Sequence, residues 1–174
     1  QNFVFAQFSK IMFYNITVEN LIVTDLKLAC FAFLVNIDLK IVNSNITNIE
    51  SKSKKMLISG INSNFSLENS FLNNLTIHEN SPIGSFFELS NIQIKNTRIF
   101  EYDQGLFFFS FCELVMLNVF FGNNKSIENI VANQFFEHHT IKIEQTSALI
   151  LNSTFKNRHM VSTLPNSHNF LFFL

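Results

Sequence analysis

Very little in this 174-residue chain gives the backbone its usual freedom or its usual breaks, with only 4 Gly and 2 Pro. Tight corners normally lean on those two residues, so a fold rich in corners must place another residue there. Charge is sparse too, at 14% of residues with a formal net charge of −1. No global field therefore favours nucleic acid or an acidic membrane surface. Asp occurs only at positions 25, 38 and 103, and the only arginines are Arg98 and Arg158. Clustered carboxylates for acid/base work, with basic residues for an acidic substrate, find little material here. The longest apolar run, Leu106 to Phe121, is interrupted by Glu113 and Asn118 and falls short of a bilayer span. It is read as buried strands. The chain starts at Gln1 with neither a signal peptide nor a charged presequence, and is expected to be a mature or excised segment of a longer protein.

What the chain has in quantity is 23 Phe and about two dozen Asn. Phe and Ile favour strands, whereas Asn tolerates left-handed backbone angles and bonds to nearby main chain, which suits corners. An AT-rich coding bias inflates these residue types but does not impose register. Register is present: Ile92-Gln93-Ile94-Lys95-Asn96-Thr97-Arg98-Ile99 reads apolar, any, apolar, any, Asn, any, any, apolar. The same phrase returns with its Asn at Asn20, Asn43, Asn69, Asn118 and Asn152, spaced by 23, 26, 27, 22 and 34 residues around the series that includes Asn96. Further matches at Asn15, Asn36 and Asn91 fall just upstream of series members.

Alternate side chains of a strand share a face, so residues two and four before the Asn point the same way as it does. The Asn is thus expected to face the core. An apolar residue three positions later breaks the alternation, as a tight corner between two strands would. A second polar position, five before each series Asn, holds Asn15, Asp38, Asn64, Asn91, Glu113 and Ser147. Each unit reads as strand, polar bend, strand, Asn corner, strand and a loop of variable length. Periods of this size belong to solenoids. The fold class expected is all-β: a parallel β-helix of about six to seven turns, right-handed, with three short strands per turn, uncapped ends and a single segment over residues 1–174. The pattern lapses between Phe121 and Ile143, where a loop, a helix or a degenerate turn is possible, and residues 169–174 resemble the start of another turn.

Candidate chemistry is thin. His138-His139 beside Glu137 lacks the spacing of a zinc site and reads as a polar loop, and Ser51-Lys52-Ser53-Lys54-Lys55 reads as a solvated loop. Cys30 and Cys112 fall three to four turns apart in this register, roughly 14 to 19 Å, too far for a disulfide. No catalytic residue, metal ligand or cofactor site is assigned. N-glycosylation patterns occur at Asn15, Asn45, Asn64, Asn74, Asn124 and Asn152. Asn45, Asn74 and Asn124 fall after corners or in loops, where a glycan can reach solvent, whereas Asn152 belongs to the inward series and is expected to be blocked.

The phrases Ile92-Gln93-Ile94-Lys95-Asn96-Thr97 and Leu149-Ile150-Leu151-Asn152-Ser153-Thr154-Phe155-Lys156-Asn157 resemble right-handed parallel β-helix repeats of the pectin-lyase-like superfamily. In particular they resemble the large, Asn-rich surface proteins of ciliated protists. The resemblance spans residues 9–160. It implies an extracellular segment, secreted or membrane-anchored, with an internal ladder of stacked Asn side chains. The catalytic patterns of the enzyme members find no match. Leucine-rich repeats share the period but place apolar residues three and five before the Asn, and rank second. The expected role is a non-catalytic structural or interaction segment whose partners are other chains or further turns at its open ends, with N-glycans. A carbohydrate-active enzyme or a glycan binder is the alternative.

Overall fold

The computed structural model describes residues 4–7, 9–23, 32–51, 58–77, 85–102, 107–122, 141–156 and 172–173. Within them the chain winds as a parallel β-helix with three strands per turn, through six turns and the first strand of a seventh. The first sheet stacks Val4–Gln7, Ala32–Val35, Ile58–Ile61, Ser85–Glu88, Phe107–Ser110, Ile141–Glu144 and Phe172–Phe173. The second stacks Lys10–Tyr14, Asp38–Val42, Asn64–Glu68, Asn91–Lys95, Glu113–Leu117 and Ser147–Leu151. The third holds Thr17–Glu19 and Ile22–Val23 against Asn45–Ser51, followed by Phe71–Ile77, Arg98–Tyr102, Phe120–Gly122 and Thr154–Lys156. The apolar run 106–121 contributes one strand to each sheet, and the C-terminal Phe172–Phe173 pairs with Ile141–Lys142 as the start of a further turn.

Like residues stack on like because equivalent positions of successive turns are paired. Ile92 is in register with Phe65 and Leu114, and Ile94 with Leu67 and Met116. These residues are buried, as are Leu34, Phe87 and Phe109 from the first sheet and Ile46, Leu72, Ile99 and Phe121 from the third. A triangular core results, one column wide at each inward position. The benzene rings of Phe65, Phe87 and Phe109 stack with centroids 5.1 and 5.9 Å apart, and Phe121 lies flat on Phe155 at 4.6 Å. Such ring pairs add about 0.5–1.5 kcal/mol beyond plain area burial. Gly60 occupies an inward position between Leu34 and Phe87. A Cβ placed there would lie 2.7 Å from Phe87 Cδ1, so the glycine is what lets the large ring fit.

The segment between Gly122 and Ile141, with Asn124 and the Glu137-His138-His139 cluster, lies outside the described residues, as do Ser53-Lys54-Lys55 and Cys30. Cys112 is a free, buried thiol whose single S–H has two carbonyl acceptors in reach, Ser110 (3.2 Å) and Phe87 (3.3 Å). Burial pushes that thiol above its usual range.

Candidate functional site: the asparagine corners and the groove beside them

Fifteen described non-glycine residues have positive φ, and eleven of them are Asn. No described glycine does. The left-handed angles a solenoid needs at every corner are therefore supplied by Asn, whose short amide lowers the cost other L-residues meet there, about 1–2 kcal/mol each. Three such columns run along the molecule. Between the second and third sheets stand Asn15, Asn43, Asn69, Asn96, Asn118 and Asn152; between the first and second stand Asn36, Asn62, Leu89, Phe111 and Gln145; a bend within the third sheet holds Asn20, Asn48, Asn74 and Glu101.

Two expectations are corrected here. The series Asn residues do not face the core: Asn20, Asn43, Asn69, Asn96, Asn118 and Asn152 are all exposed. A φ near +50° at the Asn turns the chain so sharply that the next residue, not the Asn, takes the inward place. Those next residues, Ser44, Ser70, Thr97 and Val119, are buried. The first turn is also out of step. Asn15, not Asn20, stacks with Asn43, because Lys10–Tyr14 pairs with Asp38–Val42, while Asn20 begins the separate column with Asn48. Asn15 and Asn20 both satisfy the apolar phrase, and only pairing between turns chooses. The polar bend likewise sits two residues earlier than expected, at Asn36, Asn62, Leu89, Phe111 and Gln145, while Asp38, Asn64, Asn91, Glu113 and Ser147 start the second-sheet strands.

A ladder of side-chain amides is present, on the outside. Asn96 Nδ2 donates to Asn69 Oδ1 at 3.0 Å, and Asn118 Nδ2 to Asn96 Oδ1 at 2.9 Å. A second ladder runs Asn74 to Asn48 to Asn20 at 2.9 and 3.0 Å. A third runs Asn91 to Asn64 at 2.9 Å, with Asn64 donating on to Asp38. Beneath the corners lies a buried counterpart that the apolar phrase did not disclose. The backbone N–H of Ser44 donates to Ser70 Oγ (3.2 Å), and Ser70 Oγ donates to the Glu68 carbonyl (2.7 Å). At the other corner Ile37 N–H donates to Ser63 Oγ (3.2 Å), Ser63 N–H to Ser90 Oγ (3.0 Å), and Cys112 N–H to Thr146 Oγ1 (3.0 Å). Each hydroxyl thus satisfies a corner N–H one turn away that would otherwise be buried unpaired. The recurring Asn-Ser and Asn-Thr dipeptides carry that signal.

The glycosylation candidates fall in unlike places. Asn15 and Asn152 are exposed corner residues, so the predicted blocking of Asn152 does not hold. Asn64 is exposed with its amide engaged by Asp38 and Asn91. Asn74 is half-buried within its ladder, and Asn45 is half-buried with an Oδ1 that finds no hydrogen-bond partner among the described residues.

Beside the exposed ladder, the outer face of the third sheet is aromatic. Phe71, Phe100 and Phe120 form a zigzag with centroids 5.7 and 5.1 Å apart, covering Gly122, where a Cβ would lie 2.7 Å from Phe120 Cε1. Two open depressions of about 430 and 560 Å³ follow this edge and share Asn96 and Arg98. The first adds Asn43, Asn69 and Phe71, the second Phe100, Asn118 and Phe120. Together they make a shallow groove of amide donors and acceptors, Phe faces and one guanidinium. On the outer face of the second sheet Lys40 pairs with Glu68 at 2.9 Å. Hydrogen bonds from Lys40 and then Ser66 hold that carboxyl below its usual range. Among the described residues no group of three or more His, Cys, Asp or Glu is placed to hold a metal ion. No family model matches the chain, and no curated protein or solved structure matches it.

Proposed function

We propose that this chain is a non-catalytic structural or interaction segment of an extracellular surface or filament protein, presenting its faces and ends to other chains. The observation that supports it most is the repetition itself. Three corner columns hold the turns in register and spend the chain's polar side chains on linking one turn to the next. The resemblance to Asn-rich protist surface proteins and the glycosylation patterns support an extracellular setting. In the first and sixth turns Ile11, Phe13, Val18, Ile150 and Phe155 are only partly buried. Solenoid turns rely on neighbours for burial, so such rims gain by meeting another turn or another chain. Sedimentation velocity of the chain across a concentration series tests this. Growth of larger species that Phe13→Lys and Ile150→Lys suppress is expected, and a single species at every concentration would sink the end-pairing role.

The groove supports a second reading, glycan binding, since amide ladders, Phe faces and Arg98 are the groups that grip a sugar's hydroxyls and ring. Titration with an oligosaccharide panel separates the two. Saturable binding lost in Asn96→Ala/Arg98→Ala would favour it.

A further inference from the structure

Leu89 and Phe111 hold adjacent places in a corner column whose earlier members are Asn36 and Asn62. Their φ values are 49° and 53°, a region where a branched or bulky side chain is a rare outlier. Both are also exposed, at 55% and 52%. Each therefore disfavours folding twice, through its backbone angle and through apolar surface left in water, where the asparagine used elsewhere would do neither. Strain kept at an exposed site points to a use outside the fold. The setting gives that use a chemistry. Glu88 precedes Leu89 on the first-sheet flank, and Glu113 lies two residues past Phe111 at the start of the second-sheet strand. Beyond Glu113 on the outer face of the second sheet come Val115 and Leu149, paired in register, with Leu149 half-exposed. A second copy docked here across a two-fold axis would gather two sets of Glu88 and Glu113 into one contact, and like charges in a contact are unfavourable.

We infer that the Leu89–Phe111 corner is a docking ridge for a different protein, one that offers an apolar cleft edged by Lys or Arg. It rests on the interaction role proposed above but uses an outward corner on the flank of the solenoid, not the inward rim residues Phe13 and Ile150. Its probes are a synthetic amphipathic peptide with a leucine face flanked by lysines and the same peptide with every Lys replaced by Glu. Titrated against the full chain, the Lys peptide is expected to bind at least about tenfold more tightly than the Glu peptide. Glu88→Gln/Glu113→Gln should erase that ratio, and Leu89→Asn/Phe111→Asn should weaken the Lys peptide by a further factor of about ten. The Leu89→Asn/Phe111→Asn variant should also melt higher, by about 4 °C or more, because asparagine relieves the corner. Equal binding of the two peptides, no saturable binding of the Lys peptide, or a lower melting temperature in that variant would each overturn the ridge. So would loss of concentration-dependent assembly in Leu89→Asn/Phe111→Asn, which would make the ridge a self-contact. Assembly suppressed only by the Phe13 and Ile150 variants leaves the ridge intact, so the two proposals fail separately.

Discussion

At the scale of single residues, the corner asparagines are chosen for backbone angle before hydrogen bonding. Asn96 is exposed with φ 48°, so its replacement is governed by what the new residue costs in the left-handed region. Asn96→Gly should be nearly neutral, since the lost amide contacts are exposed. Asn96→Ala should cost about 1 kcal/mol and lower the melting temperature by roughly 2–4 °C. Thermal melts followed by circular dichroism check this, and equal melting of the two variants would remove backbone angle as the cause. Gly60 obeys the opposite logic, space rather than angle. Its added methyl would press on Phe87, which is fully buried between Phe65 and Phe109 and has nowhere to move. Gly60→Ala should therefore destabilise by about 1–3 kcal/mol. Phe87→Leu in the same chain should recover part of that loss, a non-additivity that a double-mutant cycle in urea would measure.

At the scale of strands and corners, each turn is fastened to the next by two kinds of side-chain bond with different worth. The exposed amide ladders compete with water and contribute little apiece. The buried hydroxyls do not compete with water, because Ser44, Ser63, Ser70 and Ser90 lie out of its reach. Ser70→Ala would leave the Ser44 N–H without its acceptor, at a cost of about 1–3 kcal/mol. Ser70→Thr keeps the oxygen and should restore most of the stability, since Thr97 stands at the same place one turn on with its Oγ1 donating to the Lys95 carbonyl as Ser70 Oγ does to that of Glu68. Chemical denaturation of the pair decides, and an Ala variant as stable as the Thr variant would dismiss the buried bond. This layer was only partly legible in sequence. Ser and Thr after Asn read equally well as glycosylation patterns or ordinary corner polarity, and only stacking at ~4.8 Å gives their hydroxyls a partner.

At the scale of the molecule, the solenoid is quasi-one-dimensional, and its stability should grade along the axis. Inward residues of the middle turns are fully buried, whereas Ile11, Phe13 and Val18 in the first turn and Ile150 and Phe155 in the sixth are only partly so. Amide hydrogen exchange of the chain should accordingly show slowest exchange in the strands 64–68, 91–95 and 113–117, and progressively faster exchange toward 10–14 and 147–151. Uniform protection from first turn to last would mean a single cooperative unit instead. On the role proposed above, the rims are where further turns or chains would pair, and the ridge inferred at Leu89 and Phe111 would meet its partner on a flank.

The sequence by itself determined the repeat, the three strands per turn, the parallel stacking and most of the inward apolar positions, because side-chain period and the apolar step of three after each Asn are local properties that no neighbour can alter. Only the tertiary structure decided which way the asparagines point, that Asn15 rather than Asn20 belongs with Asn43, and that small hydroxyls rather than amides line the buried side of the corners. Direction at a corner depends on the sign of φ, and register depends on pairing between turns. Neither is written in the hydrophobic pattern of one unit.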